Sequence, residues 1–389
     1  MRFCFLLLSW IFTLSAQKLK VEVKASSAIL MNAETGVTLF EKRPFAPLFP
    51  ASTTKIATAL YILAEKKPQF DQKMKVSAES LRLKPLNKQE QHPPHWWYRD
   101  GTNMGLQAGE LVSIDALLHG LMMVSGNDAA NVLAEGFSEA NESFVEELNQ
   151  YVKKIGCTST HFLNAHGCHH PHHTTTAYDL CLITKTALQI PKFRELVSTL
   201  DYIKPKTNKQ GPVELKLINP LLKPGRFFYP KAIGVKSGFH LEAQYNLVAA
   251  AVHEGRTLIA TIMGTQNTAD RYIDAIALFE AAFAETKVRK RFFGPENIFS
   301  RKIPGTTRDL NASLSTEMWI SYFPAEETQC RGFVFWESPL LPIRKGQFVG
   351  EVRIVSEQGN VLARGDLVAR EDVKRTIWYI LQNAISQFF

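Results

Sequence analysis

The chain has 389 residues, 45% hydrophobic and 21% charged, proportions ordinary for a globular protein and unlike those of a disordered one. With 45 Lys and Arg against 37 Asp and Glu its formal charge is +8, which suits an acidic partner such as a cell wall, an anionic membrane or a nucleic acid. Nucleic acid is set aside because no arginine-rich arm, zinc-finger spacing or aromatic RNA-binding motif occurs; the length favours two domains.

Taken in chain order, Arg2 precedes an almost purely apolar run over residues 3–14, closed by Ser15 and Ala16 before Gln17. A basic start, about a dozen apolar residues and a small-residue exit read as a secretory signal peptide over residues 1–16. The run is too short to span a bilayer, which takes roughly 20 residues. Residues 26–31 and 36–41, on either side of Asn32-Ala33-Glu34-Thr35, predict a β-hairpin. The stretch from Pro44 to Pro50 breaks regular structure. From Ser52 the spacing of Ile56, Ala59, Leu60 and Leu63 predicts a helix.

Further helices are predicted over residues 114–124, 129–135, 142–155 and 176–188. Strands follow over 232–235, 245–252 and 257–264, then a long helix over 269–283. Residues 17–290 thus read as an α/β (α+β) domain with helices packed on an antiparallel sheet. The composition changes near residue 290, and 291–370 reads as a small all-β domain. Its clearest hairpin turns at Glu357-Gln358-Gly359-Asn360, after Val349, Val352 and Ile354.

Over residues 371–389, Ile377, Ile380, Leu381, Ala384, Ile385 and Phe388 share one helical face, with Lys374 and Arg375 at the start. That pattern predicts an amphipathic helix lying in a membrane interface. Beyond the leader there are four cysteines, Cys157, Cys168, Cys181 and Cys330. They are too few and too scattered for a disulfide framework, so unpaired, mostly buried thiols are expected; a Cys157–Cys168 or Cys168–Cys181 bridge stays open.

Three short motifs carry chemistry. Ser52-Thr53-Thr54-Lys55 opens the first strong helix, where residues three apart share a face. Lys55 can therefore set its amine beside the Ser52 hydroxyl and act as its base, provided burial or nearby positive charge lowers its pKa. Ser125-Gly126-Asn127 follows the apolar run of 114–124. On a turn, Ser125 can relay a proton to a leaving amine while Asn127 holds a substrate amide and Lys55. Lys236-Ser237-Gly238 ends a predicted strand, offering charge and a hydroxyl to a terminal carboxylate. Gly238 permits close approach of a substrate backbone. Each motif alone is commonplace, since Ser52 can be a helix cap and Ser125-Gly126-Asn127 a plain turn. The ordered set of three is not.

The set resembles penicillin-binding proteins and serine β-lactamases. Pro50-Ala51-Ser52-Thr53-Thr54-Lys55, Ser125-Gly126-Asn127-Asp128-Ala129-Ala130 and Val235-Lys236-Ser237-Gly238 look like the low-molecular-mass serine D-alanyl-D-alanine carboxypeptidases. The similarity runs over about residues 25–285 and extends to Ile343-Arg344-Lys345-Gly346-Gln347, which resembles the β-domain of anchored members. The resemblance implies attack by Ser52 on the carbonyl between the last two D-alanines of peptidoglycan stem peptides, then hydrolysis of the acyl-enzyme. It also implies acylation by β-lactams, an oxyanion hole from the backbone N–H groups of Ser52 and Phe239, and a carboxylate contact from Arg271. No metal and no organic cofactor is implied. The expected location is the periplasmic face of the cytoplasmic membrane.

His240 stands where family members often carry a hydroxyl. An aromatic loop at 91–98 and a run with five histidines at 166–173 are further peculiarities; the latter matches no standard tetrahedral zinc set and reads as a polar loop near the cleft. Competing readings are a D,D-endopeptidase, a β-lactamase, for which the usual deacylating glutamate motif is missing, and a non-catalytic wall-binding scaffold.

Overall fold

The computed structural model describes residues 10–12, 18–81, 101–138, 141–326, 330–337, 340–356 and 359–379. The chain divides into two compact units, Leu19–Ala284 and Glu285–Phe389 together with Met1–Lys18. The division after Ala284 lies close to the change of composition near residue 290. Within the expected leader, only β1 (Trp10–Phe12) is described, and it pairs with a strand of the smaller unit.

In the larger unit, β2 (Ser27–Asn32) and β3 (Thr38–Lys42) form the predicted hairpin. The Asn32 side chain accepts the N–H groups of Glu34 and Thr35, which fixes the turn. A 3₁₀ turn at Ala51–Thr53 leads into α1 (Thr54–Tyr61), all of whose residues are buried. A short pair, β4 (Lys73–Lys75) and β5 (Leu111–Ser113), precedes α2 (Ile114–Met123), capped by the Ser113 hydroxyl. Next come α3 (Asn127–Phe137), α4 (Asn141–Lys154), α5 (Ala177–Ala187) and α6 (Pro191–Ser198). The hairpin β6 (Asp201–Lys204) and β7 (Val213–Lys216) follows.

The antiparallel strands β8 (Ala232–His240), β9 (Gln244–His253) and β10 (Arg256–Thr265) complete a five-stranded sheet ordered β3-β2-β10-β9-β8. α7 (Thr268–Phe283) closes the unit. Both α5 and α7 pack on β10, every residue of which is buried. Coverage on both faces explains its apolar run, where a half-exposed strand would alternate.

Two of the differences in extent from the predicted elements lie at the site. β8 continues past residue 235 through Lys236, Ser237 and Gly238, because these pair in register with Val248, Leu247 and Asn246 of β9. α3 begins at Asn127, so Asn127 is a first-turn helix residue, and Ser125, with φ +61°, and the N-cap Gly126 occupy the turn.

The smaller unit is β-rich as expected. β11 (Val288–Phe293) will pair with a later strand, and β12 (Ile298–Arg301) and β13 (Leu310–Leu314) form a hairpin. β14 (Met318–Tyr322) pairs with β11. β15 (Cys330–Trp336), β16 (Phe348–Ser356) and β17 (Val361–Ala369) build the rest of a six-stranded sheet ordered β1-β15-β16-β17-β13-β12. β15 alternates buried and open residues, with Trp336, Val334 and Cys330 joining Val352, Ile354 and Leu367 in the core. β16 and β17 are the predicted hairpin; Glu357 and Gln358 of its turn lie outside the described residues. Of the predicted amphipathic helix, 377–379 is helical, with Ile377 and Trp378 exposed; 380–389 lies outside the described residues. The aromatic loop at 91–98 also lies outside them. Among the described residues no helix is long and apolar enough to cross a membrane.

Candidate active site

The site is organised around Lys55, which α1 carries into the interior with no exposed surface. Its Nζ lies 3.1 Å from Ser52 Oγ, 2.6 Å from Asn127 Oδ1 and 2.7 Å from the His166 carbonyl oxygen. A neutral lysine has two N–H donors and one lone pair. The amide and carbonyl oxygens can only accept, so in the neutral form they would take the two N–H groups and leave the lone pair for the Ser52 hydroxyl, whereas the charged form donates to all three oxygens. Burial pulls the Lys55 pKa down from 10.5 to about 7, against the opposing pull of Cys168 and Asp128. Neutral and charged forms of Lys55 are therefore both accessible near neutral pH.

Ser52 sits in the 3₁₀ turn just before α1. Its predecessor Ala51 has φ +49°, a left-handed conformation that is costly for a residue with a Cβ. The surroundings hold it there. Thr54 Oγ1 donates to the Ala51 carbonyl at 3.0 Å, and Asn246 Nδ2 donates to the Phe49 and Pro50 carbonyls at 2.8 and 3.1 Å. Ser52 therefore stands on a turn fixed from both sides.

Asn127 approaches from α3. Its backbone N–H donates to the Thr102 carbonyl, and Thr102 Oγ1 donates to the Ser125 carbonyl, joining the second motif to residues around 102. The buried Asp128 carboxylate accepts the N–H groups of Met104, Gly105 and Leu106. Ser125 itself is buried beside this network.

The third motif reaches Ser52 through Gly238. A Cβ there would come within 3.0 Å of Ser52 N and 2.9 Å of the Pro50 carbonyl oxygen. Only a glycine lets β8 lie so close to the Ser52 turn. Lys236 is buried, and its Nζ donates to the Ser237 carbonyl at 2.8 Å. Burial, with the charges of Lys55 and Arg271, drives its pKa far below the ordinary lysine value. Phe239 is half-exposed and stacks on Tyr245.

Arg271 is buried, unlike most arginines at helix starts. Its Nη1 donates to the carbonyls of Gly238 and Asn246, and its guanidinium lies over the Tyr245 and Tyr272 rings. It ties β8 to β9 behind the glycine.

The comparisons with known proteins agree with this geometry. Residues 13–267 match the family model described as D-alanyl-D-alanine carboxypeptidase. The chain belongs to that family. It is accordingly a serine hydrolase of the penicillin-binding fold, followed by a β-domain. A D-alanyl-D-alanine carboxypeptidase of Bacillus subtilis is 28% identical over 90% of this chain and 86% of its own length. One from a Streptomyces strain is 30% identical over 68% of this chain and 89% of its own. A solved Streptomyces structure, described as a DD-transpeptidase, superposes with TM-score 0.60 at 30% identity over 68% of this chain and 99% of the other. For penicillin-binding protein 5 from Haemophilus influenzae the TM-score is 0.63 at 24% identity, over 92% and 99% of the two chains, a likeness of fold.

Sequence reasoning missed how much of this family member's site comes from residues 164–173. Besides the His166 carbonyl, that loop supplies Gly167, whose Cβ would strike the Ala51 carbonyl oxygen at 1.9 Å. The Asn164 side chain braces the loop by accepting Gly167 N–H and donating to the Cys168 carbonyl. His173 accepts Leu163 N–H at Nδ1, which leaves Nε2–H to donate to Thr54 Oγ1. The histidine run is thus in part a brace for the Ser52 turn. Cys168 Sγ lies 3.5 Å from Asn127 Nδ2, and no disulfide forms among the four described cysteines.

Proposed function

We propose that this chain is a serine D,D-carboxypeptidase that removes the terminal D-alanine from peptidoglycan stem peptides. The observation carrying the reading is the position of Lys55 Nζ, buried 3.1 Å from Ser52 Oγ with two carbonyl-type oxygens beside it to take its N–H groups when it is neutral. Lys55 takes the Ser52 proton as Oγ attacks the penultimate D-alanine carbonyl carbon. The resulting oxyanion is held by the N–H groups of Ser52 and Phe239, a position supported by the close approach of Gly238 to Ser52 N. As the C–N bond breaks, the proton passes from Lys55 through Ser125 to the leaving amine, and D-alanine departs. Water then attacks the ester, giving its proton to Lys55, which passes it to Ser52 Oγ as the acyl–oxygen bond breaks, so that serine and neutral lysine are both regenerated.

Two buried basic residues adjoin Gly238: Lys236 on β8, and Arg271, which donates to the Gly238 carbonyl. They favour a substrate that ends in a carboxylate, to which Ser237 adds its hydroxyl. β-Lactams, which present a carboxylate beside a strained amide, acylate Ser52 by the same steps. Intact-mass spectrometry after incubation with a labelled penicillin tests the mechanism. One adduct per chain on the wild type, lost in Ser52→Ala, is expected; no adduct, or one that survives the substitution, refutes it.

A second reading has a specific support. The Streptomyces structure is described as a DD-transpeptidase, and an amine replacing water in the second step would convert hydrolysis into transfer. Product analysis with and without an acceptor amine separates the two. Residues 1–16 and 371–389 support an exported enzyme bound peripherally to the periplasmic face of the cytoplasmic membrane. A fusion of residues 371–389 to a soluble reporter should co-sediment with anionic vesicles.

A further inference from the structure

Among the described residues, two groups bring three ligand-bearing side chains together. In Asp115, His119 and Glu195 the Asp115 carboxylate is already engaged by Lys192 and Tyr202, and Glu195 by Lys192. That group reads as an ion-pair network. The other group, His169, His240 and Glu242, is different. His169 comes from the histidine-rich loop, His240 ends β8, and Glu242 follows in the β8–β9 turn.

We propose that His169, His240 and Glu242 form a binding site for a divalent transition-metal ion of the zinc class at the rim of the catalytic cleft. One ligand atom from each lies within 4.8 Å of the others. Around an ion with ~2.1 Å bonds at tetrahedral angles, ligand atoms sit about 3.4 Å apart. His169 and Glu242 are exposed, so their side chains have room to close the difference by rotation.

The local chemistry asks for a cation. His240 Nδ1 accepts Ala243 N–H at 3.1 Å, which assigns it a lone pair, yet the Glu242 Oε2 atom lies 3.1 Å from the same nitrogen. That single lone pair can serve Ala243 N–H or, once that bond is given up, an ion shared with Glu242; without an ion, a proton on Nδ1 makes the pair an ordinary hydrogen bond. Two imidazoles and a carboxylate are a set that zinc-class ions favour, and three protein ligands leave a position open to water or an incoming carboxylate. Phe49 supplies a wall: its ring meets His169 edge-on at 4.7 Å and lies 6.2 Å from His240. Apolar surroundings of this kind limit water around a bound ion.

Occupancy would join the loop that presents the His166 carbonyl to Lys55 with the strand that carries Lys236 and Gly238. The proposal is independent of the hydrolytic reading, since binding is read without turnover. The test is titration of the chelator-treated full chain with Co²⁺, followed by its visible d–d absorption. One saturable equivalent, displaced by Zn²⁺, is expected for the wild type, for Ser52→Ala and for the double variant His170→Ala/His172→Ala. The signal should be lost in His169→Ala and in Glu242→Ala. Absence of saturable binding in the wild type, or an unchanged titration in either single variant, overturns the assignment. So does loss of the signal in the double variant, which would move the site to the exposed histidines of the loop. If His240 and Glu242 share only a proton, the wild type gives no Co²⁺ spectrum, and the proposal falls.

Discussion

Acylation should depend on pH through Lys55, and both the direction and the size of the effect follow from its burial. The side chain has no exposed surface, and its pKa is drawn from 10.5 to about 7. That displacement corresponds to about 5 kcal/mol of extra cost for the charged form relative to the neutral one. A base must be neutral to accept the Ser52 proton, so the competent fraction is lost as pH falls through the folded value and is full above it. About two pH units below the midpoint only ~1% of the enzyme holds neutral Lys55, and the acylation rate should fall by about 100-fold. Pre-steady-state acylation by a fluorescent penicillin, measured in buffers from about pH 5 to about pH 9, reads this directly, with thermal unfolding recorded in parallel. Cys168→Ala should move the midpoint down, because Cys168 raises the Lys55 pKa. Lys55→Met should leave only a slow, pH-insensitive residue of activity. A midpoint near the ordinary lysine value, or a rate that does not change over the range, would refute the assignment of Lys55 as the base.

Other expectations concern the supports. Gly238→Ala places a Cβ against Ser52 N and the Pro50 carbonyl; acylation should slow by about 100-fold, as expected when reacting groups are displaced by around an ångström. Asn246→Ala leaves the part-buried carbonyl of Phe49 and the buried carbonyl of Pro50 without this donor. Urea unfolding should show a loss of about 1–3 kcal/mol, accompanied by slower acylation. Lys204 and Glu110 form an ion pair with both side chains fully buried at 2.6 Å. Lys204→Ala should destabilise the chain by about 3–5 kcal/mol in the same assay, whereas the paired change Lys204→Met with Glu110→Gln should cost much less.

The parts of the fold and site that are legible in the sequence are those in which neighbours along the chain are also neighbours in space. Ser52 and Lys55 meet because three residues along a helix make almost one turn, and the buried strands β9 and β10 announce themselves as apolar runs. The short pairs β4–β5 and β6–β7 have too few residues for a period to show. α6 has no counterpart among the predicted helices, although Pro191 at its first turn is a usable start signal. The predicted strand stops short of the end of β8 for a different reason: Lys236, Ser237 and Gly238 look like a turn in isolation, and only pairing with β9 makes them strand.

The least legible part is the contribution of residues 164–173. A run of histidines suggests side-chain chemistry, yet the loop's role beside Lys55 is played by a backbone carbonyl, for which any residue would serve. Gly167 is required there by the contact its Cβ would make with Ala51, a residue far away in the chain. Such a requirement has no local signature. It arises only when the loop, the Ser52 turn and the Gly238 strand converge on one small volume, each removing the space that the others' side chains would need. The three motifs name the proposed reacting groups, while their alignment depends on glycines and carbonyls whose purpose appears only in the packed structure. Substitutions at Gly167 should therefore impair acylation as severely as changes to the motifs themselves, although no reactive group is altered. A Gly167→Ala variant that acylates at the wild-type rate while remaining folded would show that the turn tolerates more displacement than these contacts allow.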